Sequence, residues 1–505
     1  MHKILSILLT LALACITLPA FAGTYYVRTD GGTATQCNGT ANAPASATPN
    51  CAWNNPQWAV PPGFPNDGAK PIVLKAGDTL QIAAGSYAFG YGTPGASACV
   101  AGYAYNCVLH GTLPANITIQ GDCSAPPELW GTGHQYNLFD LTGSSGVTLR
   151  CLELTDHGTC IDGKFTGIPS CSNSAADKSA QDGIDIRGAA NVTLDRLNIH
   201  GLADYGILAG QLTGTTTVTG VTIRANAWGG WNGDLGGNGS NSKNSGNLNF
   251  TNATIAYNGC TEAYPATTIV GCRGAEQGGY GDGLGTALTG GNWRIVDSKF
   301  LYNTSDGLDL LYADGTGSVF VDKVTSIGNA SQQVKVAAPA TVQNSVIVGW
   351  CSTPPLKSAG LTSLCRAAGN AVELDFTAPN QAITFAYNTV TGEGDCLISS
   401  DTGNAAASGF APVASDSVTI SNNILLGQTS YLQKNGGGYT CAIYASAAQT
   451  VNWQNSIVWH TRNTDFKTPG IINKDPLLKN ESLSGFDPTP LPGSPAIGTA
   501  TGAVK

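Results

Sequence analysis

Charged residues and helix formers are scarce in this chain of 505 residues. Only 11% of the residues are Asp, Glu, Lys or Arg, there is one methionine, and no proline-rich or charge-rich linker divides the chain. This even composition favours one elongated unit over the several globular domains that the length alone would suggest. A net charge of −9 argues against nucleic acid as a partner, because nucleic acid is itself a polyanion.

A long apolar segment of the kind that spans a membrane is also absent after the N-terminus. The start of the chain carries a shorter apolar run over residues 4–18, after a basic start at residues 1–3 and before small residues at 19–22. This order is typical of a secretory signal, which is too short for a transmembrane helix. We therefore predict a signal peptide over residues 1–22 and a secreted, extracellular protein with no membrane contact after cleavage. The periplasm stays open as an alternative location.

Cysteine pairs with the spacing of a zinc site are absent, which argues against structural zinc. The chain has 15 cysteines, and removal of Cys15 with the signal peptide leaves 14, an even number. In an exported protein this favours disulfides. We predict that cysteines close in sequence pair with each other: Cys37–Cys51, Cys99–Cys107, Cys160–Cys171, Cys260–Cys272 and Cys351–Cys365.

A short repeated unit is the strongest signal that is present. It reads apolar-x-apolar, then Asn, Asp or Ser, then a second apolar-x-apolar and a Gly or Asn, as in 192–199 and 418–424. Alternation of period two predicts half-buried strands, which must stack on neighbours to cover their apolar face. The copies at 192–199 and 221–226 lie closer together than one propeller blade, which takes about 40 residues. We predict an all-β, right-handed parallel β-helix, a monomeric solenoid of three-strand coils.

The two ends of the chain lack this repeat. Residues 23–110 are poorly periodic and contain cysteines, which predicts a cap on the N-terminal coil. Residues 111–460 form the predicted parallel β-helix. Residues 461–505 are irregular and rich in proline, and we expect this tail to pack on the helix.

One strand of each coil carries polar residues at equivalent positions. These strands align by their third and fifth residues, which are mostly apolar, as in Asp282–Thr286, Asp306–Leu310 and Gln332–Val336. The apolar pair points inward, so the fourth position points outward. Read along successive coils, the fourth position is Asp185, Leu208, Gly285, Asp309, Lys335, Glu373 and Ile398.

Three carboxylates and a lysine are expected to meet on this surface. Adjacent coils lie about 4.8 Å apart, which places Asp282 beside Asp306 and Asp309 beside Lys335. Clustered Asp oxygens suit Ca²⁺, and a neighbouring lysine can act as a base. We predict Asp282, Asp306 and Asp309 as metal ligands and Lys335 as the catalytic residue.

A purely structural interpretation stays open beside this one. Asp-Gly is a common turn pair, and Lys335 is equally compatible with a surface lysine or a salt-bridge partner of Asp309. Asp182, Asp185 and Asp204 form a similar acidic group without a lysine on the following coil. Acidic corners therefore recur in this chain without evident chemistry.

These residues resemble the site of the pectate lyases of polysaccharide lyase family 9, over about residues 180–350. Asp282 resembles the family's first calcium ligand, the Ser305–Asp309 stretch resembles its Asp-Asp-Gly-x-Asp motif, and Lys335 resembles its catalytic lysine. Ser305 stands where the family has Asp. The resemblance implies β-elimination of a uronate-containing, acidic polysaccharide, with Ca²⁺ held by the three aspartates and Lys335 taking the proton from C5.

Two other functions remain open from the sequence. Asp306 and Asp309 are compatible with the acid and base of a β-helix glycoside hydrolase. A non-catalytic glycan-binding or adhesive surface protein is the other alternative. Four aromatic residues are expected to be exposed on loops beside the column, where they either stack on sugar rings or pack the loops: Trp228, Trp231, Tyr280 and Tyr312.

Overall fold

The part of the chain that the structure describes comprises most of the repeat region. The computed structural model covers residues 22–61, 72–96, 99, 109, 112–163, 168–233, 243–273, 280–362, 364–400, 410–431, 438–462 and 464–500, and every structural statement below concerns these residues. The predicted signal peptide lies outside them apart from Ala22.

Three long parallel sheets build the molecule, two with 13 strands and one with 10. From Thr118 to Trp459, apart from one inserted hairpin, successive strands of the chain join the first, second and third sheet in turn. This order confirms the predicted parallel β-helix of three-strand coils. The first sheet contains Thr24–Gly32, Thr79–Ile82, Thr118–Gln120, Thr148–Arg150, Thr193–Asp195, Thr215–Thr219, Asn247–Thr251, Asn292–Val296, Ser318–Asp322, Ala340–Gln343, Ala382–Ala386, Ser417–Ser421 and Thr450–Gln454.

The second and third sheets follow the same order along the stack. The second contains Ser86–Gly90, Glu128–Thr132, Glu153–Thr155, Asn198–His200, Thr222–Arg224, Thr254–Ala256, Lys299–Leu301, Thr325–Ile327, Val346–Gly349, Thr389–Gly392, Ile424–Gly427, Ser456–Trp459 and Ile471–Ile472. The third contains Gln135–Asp140, Ala180–Asp185, Tyr205–Leu208, Gly229–Gly233, Leu284–Thr286, Leu308–Leu310, Val334–Ala337, Val372–Asp375, Cys396–Ser400 and Cys441–Ala445.

Few elements stand outside these sheets. Two antiparallel hairpins pair Cys260–Ala263 with Thr268–Cys272 and Leu478–Asn480 with Asp487–Pro490. The described helices are short: Pro354–Ser358 is α-helical, and Ala45–Ala47, Pro56–Trp58 and Ala367–Gly369 are 3₁₀ turns. No helix in the described ranges is long and apolar enough to cross a membrane.

One continuous apolar core fills the inside of the coils. Every second residue of each strand points inward, so that equivalent apolar residues of successive coils stack, as Leu248, Trp293 and Val319 do in the first sheet. Burial of apolar surface along the whole stack is the main stabilising contribution, at about 25 cal/mol per Å².

Both predicted end segments contribute to the stack. Thr24–Gly32 and Thr79–Ile82 begin the first sheet, so part of the expected N-terminal cap consists of coil strands. In the C-terminal tail Ile471–Ile472 extends the second sheet. Leu478 of the following hairpin packs against Ile424, whose side chain lies outside the core.

A ladder of asparagine side chains runs up the inside of the stack at the corner that follows the second sheet. The amide of Asn258 donates to Asn303 Oδ1 at 3.0 Å, and that of Asn303 donates to Asn329 Oδ1 at 2.8 Å. Each asparagine also binds backbone groups, such as the Ile255 carbonyl that accepts from Asn303. The ladder therefore satisfies buried polar groups that the tight corner would otherwise leave unpaired.

Disulfides fasten the loops and the coils. Four predicted pairs are confirmed: Cys37–Cys51, Cys160–Cys171, Cys260–Cys272 and Cys351–Cys365. Cys99 is disulfide-bonded, and its predicted partner Cys107 lies outside the described residues. Two further bonds, Cys123–Cys151 and Cys396–Cys441, were not among the predicted pairs. Disulfides of this number are typical of proteins that fold outside the cytoplasm.

The Cys260–Cys272 hairpin is held against the second sheet by a buried histidine. His200 lies between two carboxylates, with Nε2 2.8 Å from Glu153 Oε1 and Nδ1 hydrogen-bonded to Glu262 of the hairpin. Arg224 Nη1 contacts the other oxygen of Glu262 at 2.7 Å. Burial lowers the pKa of His200, but the hydrogen bonds and charges of Glu153 and Glu262 outweigh it and raise that pKa to about 9. The histidine is therefore a cation at neutral pH.

Loss of the asparagine ladder should destabilise the fold. Asn303→Ala leaves partners of Asn303 on two neighbouring coils without their hydrogen bonds, and we expect a loss of about 2 kcal/mol in the free energy of unfolding. Asn292 is the matched control, because its amide donates to Asn247 on the exposed surface. Asn292→Ala should change stability by less than about 0.5 kcal/mol. If denaturant titrations gave the same loss of unfolding free energy for both variants, the stabilising role of the ladder would be contradicted.

Stability should also depend on pH through His200. Because its pKa is raised on folding from about 6.5 to about 9, its contribution is complete below about pH 6.5 and is lost as the pH rises through about 9. The melting temperature of the wild type should therefore exceed that of His200→Gln most at low pH. Glu262→Gln should also reduce the dependence of the melting temperature on pH, because it removes one of the two carboxylates that raise the pKa of His200. A difference that stays constant from pH 6 to 10 would contradict this assignment.

Candidate active site

The third sheet places the predicted site residues on three successive coils. Gly285 pairs with Asp309, and Asp309 pairs with Lys335 on the next coil. Leu308 and Val334, beside them, point into the core and are fully buried, as their apolar character predicts. Asp282 lies two residues before its strand, on the coil that precedes the coil of Asp306. The backbone N–H of Asp306 donates to Asp282 Oδ1 at 2.9 Å.

The predicted outward column needs two corrections. Asn232 lies between Leu208 and Gly285 as a further member, because Gly229–Gly233 forms a strand that the repeat pattern missed. At the other end Ser399, and not Ile398, pairs with Glu373, while Ile398 is fully buried. Two adjacent apolar residues, Leu397 and Ile398, made the alignment by apolar pairs one residue out of register there.

Each of the three aspartates is fixed by a backbone amide through its Oδ1 atom. Asp282 Oδ1 accepts from Asp306, Asp306 Oδ1 accepts from Gln332 at 2.8 Å, and Asp309 Oδ1 accepts from Leu311 at 3.0 Å. One oxygen from each carboxylate lies within 4.8 Å of one from each of the others. A Cβ on Gly285 would lie 2.6 Å from Asp282 Oδ2, so glycine leaves room at this point.

Lys335 closes the cluster with two ion pairs. Its Nζ lies 2.7 Å from Asp306 Oδ2 and 3.3 Å from Asp309 Oδ2, and 13% of its side chain is exposed. The three carboxylates are buried, with exposures of 4% to 7%. The expected proximity of all four residues is therefore what the structure shows, while their roles stay a prediction.

The electrostatics of the cluster follow from its charge. Burial raises the pKa of Asp282 to about 7, with a further contribution from Asp306 and Asp309. Burial also raises the pKa of Asp309. For Lys335 burial lowers the pKa, but the charges of Asp306 and Asp309 outweigh it and hold that pKa well above its ordinary value. Three carboxylates and one ammonium carry a formal charge of −2 when all are ionised.

The donor set fits a divalent cation. One oxygen of each carboxylate lies close to one of each of the others, the Oδ1 atoms accept from backbone N–H groups, and the carboxylates supply the negative charge that a dication requires. Hard oxygen donors of this kind are those that Ca²⁺ prefers. Lys335 Nζ contacts Asp306 Oδ2 and Asp309 Oδ2, so the lysine would compete with an ion for these oxygens. Asp282, Asp306 and Asp309 are thus the residues that would hold the ion.

Ser305, the first residue of the Ser305–Asp309 stretch, is hydrogen-bonded to an arginine. Ser305 is buried, and its Oγ accepts a hydrogen bond from Arg366 Nη1 at 3.2 Å. Arg366 lies 61 residues further along the chain, in the loop that follows the Cys351–Cys365 disulfide. Glu373 is a second residue beside the site for which the sequence predicted no role. It is the strand-register partner of Lys335 on the following coil, and it is 7% exposed.

The second acidic group differs from the first in its partners. Arg187 Nε lies 2.9 Å from both oxygens of Asp185, so that carboxylate is already paired. Asp182 accepts from the backbone of Tyr205, and burial raises the pKa of both Asp182 and Asp204. Two other groups in the described ranges have a spacing that could hold a metal ion: His134 with Cys171 and Asp177, and Glu393 with Cys351 and Cys365. Their cysteines are disulfide-bonded. Of these three groups only the one at Asp282 consists of carboxylates alone.

The predicted aromatic residues separate into two kinds. Trp231 is 1% exposed and packs on Phe250 in the core, so the expectation that it lies on an exposed loop was wrong. Its neighbours in the strand are mostly glycines, which gave no apolar alternation to reveal its direction. Trp228, Tyr280 and Tyr312 are half-buried beside the site. The rings of Trp228 and Tyr280 meet edge to face at 4.5 Å.

Comparisons with known proteins give no family. No protein-family model matches this chain, and no curated protein matches it. Similar solved structures include an alginate lyase from Paenibacillus sp. str. FPU-7, with 14% identity over 75% of this chain and 93% of that chain and a TM-score of 0.29. A rhamnogalacturonan lyase has 12% identity over 92% of each chain and a TM-score of 0.36. PfbA, a surface adhesin of Streptococcus pneumoniae, has 9% identity over 74% and 83% and a TM-score of 0.28. TM-scores this low carry no argument about activity.

Calcium binding is the first property to test at this cluster. We expect calorimetric titration with CaCl₂ to show one bound ion, and Asp282→Asn or Asp306→Asn to weaken its binding by about tenfold or more, because each loses a charged ligand. Asp185→Asn is the matched control, a buried carboxylate of the same sheet that Arg187 already pairs. Binding that all three substitutions leave unchanged would place the calcium elsewhere.

Proposed function

We propose that the protein is a secreted polysaccharide lyase that cleaves a uronate-containing, pectate-like polymer by Ca²⁺-assisted β-elimination. The observation that carries the proposal is the position of Lys335 Nζ, 2.7 and 3.3 Å from two of three converging buried carboxylates. A lysine beside a cation-binding carboxylate cluster offers both a base and a means of binding an acidic sugar. The disulfides of the molecule support its secretion.

The three aspartates bind and orient. A Ca²⁺ ion held by Asp282, Asp306 and Asp309 would neutralise the substrate carboxylate, acidify the proton at C5 and weaken the ion pairs that hold Lys335 protonated. The backbone N–H groups that fix each Oδ1 keep the opposing oxygens in place without reorganisation. Because Gly285 has no side chain, the space beside Asp282 Oδ2 stays open.

Lys335 moves the proton. Its neutral amine takes the proton from C5, the C–H electron pair forms the C4–C5 double bond, and the bond from C4 to the glycosidic oxygen breaks. Water protonates the leaving oxygen, so the products are a new non-reducing end with a 4,5-unsaturated sugar and a new reducing end. The resulting ammonium of Lys335 lies beside Asp306 and Asp309, which stabilise it.

The double ion pair of Lys335 also supports a second candidate, a non-catalytic glycan-binding or adhesive protein. Lys335 satisfies Asp306 and Asp309 within the chain, which is what a purely structural cluster would do. In that case the outward surface of the third sheet would bind a polysaccharide without cleaving it.

Ultraviolet absorbance of unsaturated ends distinguishes these functions. Incubation with polygalacturonate, and with other uronate polymers, should give absorbance with Ca²⁺ and none with a chelator. Lys335→Ala should lower kcat by at least about 100-fold, because it removes the base. Lys335→Arg keeps the charge and should be equally inactive, since arginine does not deprotonate. Lys323→Ala, at an exposed corner between the first and second sheets, is the control and should keep full activity.

Each outcome has a separate meaning. Absorbance that survives in Lys335→Ala would keep the lyase and exclude Lys335 as its base. New reducing ends without absorbance would indicate a hydrolase. Polymer binding without either product would favour the glycan-binding function.

A further inference from the structure

Exposed aromatic side chains are concentrated on the last coils of the stack. The described ranges contain five exposed tyrosines, and three of them lie within residues 431–444: Tyr431, Tyr439 and Tyr444, which are 48%, 45% and 58% exposed. Tyr431 and Tyr439 lie on the corner that joins the second sheet to the third, and Tyr444 lies on the last strand of the third sheet. A concentration of exposed apolar surface is typical of a binding site.

Two further rings continue this surface. The rings of Tyr439 and His460 stack with their centroids 5.1 Å apart and an interplanar angle of 13°, and those of His460 and Trp459 stack at 4.7 Å and 24°. Trp459 also packs on the small apolar cluster that the second sheet forms with the C-terminal hairpin. The stack therefore leads from an anchored indole to an exposed phenol. We call Tyr431, Tyr439, His460 and Trp459 the aromatic platform.

The backbone that carries the platform is fixed at several points. Tyr439 forms an antiparallel bridge with Thr429, flanked by two backbone hydrogen bonds of 2.9 Å. Tyr431 lies two residues beyond Thr429, which places its backbone about 7–8 Å from that of Tyr439, the spacing of diagonal neighbours. Cys441, two residues after Tyr439, is disulfide-bonded to Cys396 of the preceding coil. Rings on such a fixed backbone lose little entropy when a ligand binds.

The chemistry of the platform favours a neutral sugar chain. A pyranose ring has C–H groups on its faces and hydroxyl groups at its edge, so it can stack on an aromatic ring whose polar tip binds a hydroxyl. Arg462, two residues after His460, is paired with Asp395 and so offers no free charge to an acidic sugar. The net charge of −9 on the chain also disfavours a polyanion where no cation offsets it.

The size of the platform argues against a protein partner. An aromatic side chain buries about 150–250 Å² when it is fully covered, so four partly buried rings expose roughly 400 Å². Each partner of a stable protein interface contributes about 800 Å². The platform is therefore too small for such an interface, but it suits a few sugar rings.

We propose that the aromatic platform is an accessory polysaccharide-binding site, which stacks on the pyranose rings of a neutral, β-1,4-linked chain and needs no calcium. It lies beside the Cys441–Ala445 strand, three coils beyond that of Lys335 and so about 14 Å from it along the stack. The site shares no residue with the carboxylate cluster, and the inference does not depend on the proposed reaction. A neutral chain bound here would hold the protein on a polysaccharide matrix while the third sheet stays free for another polymer.

The test is calorimetric titration with cellohexaose and with xylohexaose, in a chelator that keeps calcium from the carboxylate cluster. The wild type should bind at least one of them, and Tyr439→Ala and Tyr431→Ala should each weaken that binding by about tenfold or more, because each removes a stacking ring. Tyr439→Phe keeps the ring and should bind within about threefold of the wild type. Tyr136→Ala is the matched control and should bind as the wild type does, because Tyr136 is 42% exposed at the other end of the third sheet.

Three results would overturn the inference. They are a folded wild type that binds neither neutral oligomer, binding of polygalacturonate alone under the same conditions, and losses in Tyr136→Ala equal to those in the platform variants. A dimer in sedimentation experiments that Tyr439→Ala abolishes, without oligosaccharide binding, would identify the platform as an interface between copies of the chain instead. The proposed lyase activity requires calcium and this titration excludes it, so either can fail without the other. Tyr431 and Tyr439 provide independent variants should one substitution prevent folding.

Discussion

Parallel stacking in register is the constraint on which the rest of this structure depends. The paired strands of successive coils align equivalent positions, so a residue type that recurs at one position becomes a continuous column. Inside the stack this produces the asparagine ladder, in which one amide satisfies the next. On the outer surface the same rule brings Asp282, Asp306 and Asp309 together with Lys335, although they are spread over more than fifty residues of sequence.

The carboxylate cluster destabilises the fold locally. Buried like charges raise the pKa of Asp282 to about 7, which means that burial and repulsion disfavour its ionised form. The backbone donors on each Oδ1 and the ammonium of Lys335 offset part of this cost. A rigid stack with a continuous core can tolerate such a site, because the coils on either side keep the carboxylates from moving apart.

The sequence predicted those features that repeat and missed those that do not. The fold class and the four clustered residues followed from apolar alternation, because that alternation sets which side chains face outward on each coil. The column failed at Ile398, where Leu397 and Ile398 are both apolar, and at Asn232, whose glycine-rich strand shows no alternation. Arg366 could not be assigned to the site at all, because its contact with Ser305 depends on the path of a long loop.

Ser305 lies beside the carboxylate cluster but adds no carboxylate to it. An aspartate at this position would add a fourth carboxylate, but it would lie within reach of Arg366, which would pair with it. With serine the guanidinium is held by a neutral hydroxyl and keeps its charge for another anion. The three remaining carboxylates still supply negative charge for a divalent cation. With serine at this position the cluster has three carboxylates and not four, and the positive charge of Arg366 lies beside it.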